Sequence, residues 1–102
     1  MTKPLTVVAH TFAKPGKEEL VRRELLHLVS ETRKEAGCIN YDLHVSPESP
    51  GHFFFYENWA SRSHLDAHAQ SAHILALRAK ADELFARPTE ITLYEMLSTQ
   101  QK

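Results

Sequence analysis

The stretch Phe53 to Leu77, FFFYENWASRSHLDAHAQSAHILAL, constrains this chain more than any other, because it passes from strand to helix within a few residues and gathers aromatic rings and histidines at that turn. The β-rich run Phe53–Trp59 stops before Ser61, a helix N-cap candidate, and the short helix after it carries His64, Leu65 and His68 on one side. Ser71 opens a second helix. The polar break His68-x-x-Ser71-x-His73 then lies beside aromatic walls, the composition expected where a small-molecule pocket meets its few positioning groups. The competing reading makes Phe53, Phe55 and Trp59 plain core and the histidines solvated helix residues.

Around this stretch the chain alternates between two periods. Leu5–Ala13 (LTVVAHTFA) is a strand with Val8, His10 and Phe12 on one face and Val7, Ala9 and Thr11 on the other. After the turn at Lys14-Pro15-Gly16, Leu20, Val21, Leu25, Leu28, Val29 and Thr32 recur at helical spacing, and Gly37 is expected as the C′ residue closing that helix. Cys38–Val45 alternates as a second strand with Ile39, Tyr41, Leu43 and Val45 facing one way. The loop SPESPG links it to HFFFYENW as an antiparallel hairpin. Ser61–Ala69 forms the short helix, and Ala72–Ala86 a longer one with Ile74, Leu77, Ala81, Leu84 and Phe85 as its stripe. Thr89–Leu97 is a fourth strand, and 98–102 a polar tail. The order β-α-β-β-α-β is the α+β, ferredoxin-like split βαβ arrangement: an antiparallel sheet with helices on one face and the other face in need of cover. A second copy packed sheet against sheet covers it most simply, so a homodimer is expected.

At 102 residues this is one domain with its core over about 5–97, and a net charge of −1 argues against partners with nucleic-acid or anionic membrane surfaces. A lone cysteine, Cys38, excludes an internal disulfide and multi-cysteine zinc motifs and reads as a small buried filler. No segment has the form of a signal peptide or membrane span, which leads to a cytoplasmic expectation.

The segments Glu35-Ala36-Gly37-Cys38-Ile39-Asn40-Tyr41-Asp42-Leu43-His44, Glu57-Asn58-Trp59 and His64-Leu65-Asp66-Ala67-His68-Ala69-Gln70-Ser71-Ala72-His73 together resemble the antibiotic biosynthesis monooxygenase family, and most of all its small stand-alone quinol-monooxygenase-like members. The resemblance implies a dimeric α/β barrel and oxidation of a phenol or hydroquinone by O₂ without flavin, haem or metal. Such chemistry needs a base that makes the substrate anion, for which a histidine is suited. The catalytic candidates are His68 first, at a position that in the family faces the pocket, then His73, and Tyr41 as a hydroxyl donor. His10, Phe53, Phe55 and Trp59 are the substrate-binding candidates, and Glu57, among aromatics on one face, is expected to pair within the dimer.

No metal is expected: His64 and His68 are an i, i+4 pair, but a third ligand must come from across the helix break and no H-E-x-x-H occurs. Nor is haem expected. The haem-degrading branch resembles a pattern with asparagine where this chain has His10, and Leu75-Ala76-Leu77-Arg78 supplies no axial histidine. A non-enzymatic dimeric ligand-binding or stress-response module and a small-metabolite isomerase stay open as alternatives.

Overall fold

The computed structural model describes residues 4–98. Its elements are β1 (Leu5–Phe12), α1 (Glu18–Thr32), β2 (Cys38–Val45), β3 (His52–Trp59), α2 (Arg62–Ala69), α3 (Ala72–Ala79), α4 (Ala81–Leu84) and β4 (Glu90–Glu95). The strands form one antiparallel sheet in the order β2-β3-β1-β4, as the split βαβ reading requires. Ser98 is the only part of the expected polar tail within the described residues.

Strand alternation decides the core. Val7, Ala9 and Thr11 of β1 and Phe53, Phe55, Glu57 and Trp59 of β3 point to the helix side and are buried there against Val21, Leu25, Leu28 and Val29 of α1. Ser61 and Ser71 cap α2 and α3 as expected, each hydroxyl accepting from the backbone N–H three residues on, of His64 and Ile74.

Three local expectations are corrected. Helix α1 ends at Thr32, not at Gly37: Lys34 and Glu35 bond back to Glu31 and Thr32 in tight turns, and Gly37 sits beyond them at φ 81°. The glycine answers a close approach, since a Cβ there would stand 2.2 Å from His64 Cγ. The long helix expected over Ala72–Ala86 breaks at Lys80, because Leu84 and Phe85 both enter the core and Phe85 turns extended to bridge Ala13. A β-bulge between Cys38 and Asn40 displaces Ile39, leaving it exposed and out of line with the buried Tyr41.

Among the described residues no helix covers the far face of the sheet. Thr6, Asn58, Asn40 and Asp42 link there into a hydrogen-bonded row. Beside the row, His10 and His52 bond at 2.9 Å and His44 stacks on Phe54. Tyr56, Tyr94 and Met96 stand exposed.

Candidate active site

Between the helices and the sheet lies a cavity of about 290 Å³, bounded by Val7, Ala9 and Thr11 of β1, Tyr41 of β2, Phe55 and Glu57 of β3, Leu65 and His68 of α2, Ile74, Leu77 and Arg78 of α3, and Ile91 and Leu93 of β4. Its lining is mostly apolar with a few polar groups converging, the usual constitution of a small-molecule site. A larger cleft, about 560 Å³, lies between Lys14, Asp82, Phe85 and Arg87, with no histidine on its wall.

The chemical centre of the cavity is His68. The N-cap at Ser61 sets the phase of α2 so that the His68 ring, 6% exposed, packs 4.6 Å from Trp59 and 5.4 Å from Tyr41. Its Nδ1 lies 2.7 Å from Glu35 Oε2, and the same oxygen receives His73 Nε2 at 2.6 Å. A carboxylate only accepts, so each histidine presents an N–H to it, which fixes the neutral tautomer of His68 with its lone pair on Nε2. Among the described residues no group bonds that nitrogen. Burial lowers the His68 pKa and the Glu35 carboxylate acts against that shift, so the ring is neutral at neutral pH and able to take a proton.

Glu57 is the second unusual group. It lines the cavity, 4% exposed, and accepts from Trp59 Nε1 at 2.8 Å. Burial raises its pKa to about 7, with the Trp59 hydrogen bond pulling the other way and the Glu35 charge adding to the rise. Tyr41, 4.7 Å from the Phe55 ring, is held well above the ordinary tyrosine range by burial and then by Glu57, so its hydroxyl stays protonated. Thr11 adds a buried hydroxyl that lines the cavity and has no hydrogen-bond partner among the described residues.

The structure therefore brings His68, Tyr41 and Phe55 to the cavity and ties His73 to it through Glu35. It does not bring the others. Phe53 and Trp59 are core, Trp59 serving as the wall behind His68, and His10 lies on the opposite face of the sheet beside His52 and Phe54. Glu57 faces the cavity rather than the open sheet face, so its partner is Trp59 of the same strand. Sequence reasoning passed over Glu35 and Thr11. Glu35 belongs to the quoted motif, but its partners lie 33 and 38 residues away, beyond the reach of any local period.

An α+β ferredoxin-like domain with a histidine held by a carboxylate inside an aromatic-walled cavity defines a small-molecule enzyme or binding fold. Residues 4–80 match the family described as antibiotic biosynthesis monooxygenase, and the chain belongs to that family. It is 37% identical over 93 residues to a Mycobacterium tuberculosis protein named "Putative monooxygenase Rv0793", covering 91% of each chain. The solved structure of Rv0793 superposes with a TM-score of 0.88 at 33% identity, covering 97% of this chain and all of that one. PA3566 from Pseudomonas aeruginosa superposes with a TM-score of 0.91 at 34% identity, covering 96% of this chain and 98% of its own. The general function this supports is monooxygenase-like.

Proposed function

We propose that the protein is a cofactor-independent monooxygenase that oxidises a hydroquinone or related phenol with O₂, His68 acting as the base. The observation that carries this reading is the Glu35-oriented imidazole inside the cavity, with Nε2 as its acceptor atom. A phenol seated against Tyr41 and Phe55 gives its proton to Nε2, and the imidazolium formed is stabilised by the Glu35 carboxylate 2.7 Å away. The phenolate passes an electron to O₂, the two radicals combine at ring carbon, and water leaves. Hydroquinone plus O₂ then balances as hydroxyquinone plus water, one oxygen atom entering the ring. The apolar lining keeps bulk water away from the anion, and the Tyr41 and Thr11 hydroxyls and, below about pH 7, the protonated Glu57 carboxyl are available to hold the substrate's oxygens.

The working unit in this proposal is a homodimer. Tyr56, Tyr94 and Met96 on the open face of the sheet stand 37, 53 and 57% exposed, and Ile91 and Leu93 leave the β4 side of the cavity partly uncovered. A second copy packed on that sheet would complete the barrel. The deciding experiment mixes anaerobic protein and a panel of hydroquinones with O₂, following O₂ uptake and product mass. A hydroxyquinone product carrying one ¹⁸O atom from ¹⁸O₂ supports the reading; binding of the quinols without O₂ uptake replaces it with a ligand-binding module.

A further inference from the structure

We propose that Glu35, His68 and His73 also form a binding site for a divalent zinc-class ion, and that filling it switches the cavity off; the switch, though not the site, rests on His68 being the base. Glu35 Oε2, His68 Nδ1 and His73 Nε2 all lie within 4.8 Å of one another. Two imidazoles and one carboxylate are a donor set suited to Zn²⁺ and its late first-row neighbours, with a fourth position left for water.

Little has to move. At metal–ligand bonds of about 2.0–2.1 Å, donors around a tetrahedral ion stand about 3.4 Å apart, so the 2.7 and 2.6 Å hydrogen-bonded separations must each open by less than about 1 Å. The ligands sit on separate supports: Glu35 in the turn after α1, His68 near the end of α2, and His73 in the first turn of α3. Trp59 and Tyr41 pack the His68 ring in place. Glu35 and His73 keep 16 and 18% of their side chains exposed, which gives an ion a path from solvent.

The consequence for catalysis follows from the imidazole itself. In the hydrogen-bonded state Nδ1 carries the proton and Nε2 the lone pair. An ion on Nδ1 displaces that proton, and the neutral ring then carries its hydrogen on Nε2, where it no longer accepts one from a phenol. The same residues thus hold either a base or a metal, but not both.

The test is zinc chloride titrated calorimetrically into the chelator-treated protein. The expected result is one saturable site per chain with micromolar or tighter affinity. Glu35→Gln and His73→Ala each weaken it by at least about tenfold, while His10→Ala on the opposite face does not. No saturable binding, or binding untouched by both variants, overturns the site. In the O₂-uptake assay, zinc at saturation abolishes wild-type turnover and EDTA restores it; turnover undiminished by zinc overturns the switch. If chelator-treated wild type consumes no O₂ with any quinol, the catalytic reading and the switch fall together, and calorimetry still decides the site.

Discussion

Replacing Glu57 by glutamine gives the most direct check on the electrostatics of the cavity. Between pH 4.5 and about 7 the folded carboxyl keeps the proton that the unfolded one has lost. The native state then binds more protons than the unfolded state, and stability falls as pH rises through that window. Below it both states are protonated; above it the full cost of the buried charge is present. Carrying a carboxyl from 4.5 to about 7 at 1.36 kcal/mol per pH unit amounts to roughly 3 kcal/mol. Glutamine has no charge to bury, and its amide oxygen still accepts from Trp59 Nε1. Urea unfolding of wild type and Glu57→Gln at pH 5 and pH 8, at one fixed protein concentration, isolates the effect, because the histidines and other carboxylates cancel in the double difference. With a slope of about 1.5 kcal/mol per molar urea, the gap between the two midpoints should widen by roughly 2 M in favour of the variant at the higher pH. Parallel pH dependences for the two proteins would refute the reasoning, since they would mean that Glu57 titrates at an ordinary carboxylate pKa.

Four further outcomes are expected. His68→Ala slows quinol oxygenation by about two orders of magnitude, whereas His64→Ala, which removes a ring outside the cavity wall, has much less effect on turnover in the same O₂-uptake assay. Light scattering at micromolar concentration gives the mass of a dimer, and a monomer there would remove the proposed cover for the open sheet face. Gly37→Ala lowers stability by about 2 kcal/mol or more in thermal or urea unfolding, because its φ of 81° strains an L-residue and the new Cβ meets the His64 ring. Thr11→Val leaves stability equal or slightly raised, since the hydroxyl has no partner to lose, but raises KM if that hydroxyl meets the substrate.

How far the sequence carries can be traced residue by residue. Strands β1, β2 and β4 were legible from period-two alternation and β3 from its β-rich aromatic run, and Ser61 and Ser71 announced their helices because capping is a local chemistry that one side chain performs on its own backbone. The errors fall where a distant part of the chain overrides a local signal. Gly37 looked like a helix cap, yet its φ serves a contact with His64 from another helix. The stripe Ile74 to Phe85 looked continuous, yet pairing of Phe85 with Ala13 of the first strand's exit breaks the helix at Lys80. His10 and Phe12 share a face by alternation, but nothing in that alternation says which face the helices cover.

The cavity histidine was legible in the sequence and its anchor was hidden. His68 stands out because the capped helix after the aromatic strand aims it back at Trp59, and both halves of that statement are local. Glu35 does not, because a glutamate near the end of an amphipathic helix reads as one more solvated charge until the helix ends early and two tight turns carry it inward. Its position makes two histidines from two different helices share a single oxygen atom. That sharing sets the tautomer of His68, and the tautomer decides which ring nitrogen is left to accept a proton. A chain with the same aromatic strand, the same capped helix and the same His68, but without a carboxylate at position 35, would keep the fold and the cavity and lose the means of holding the lone pair on Nε2.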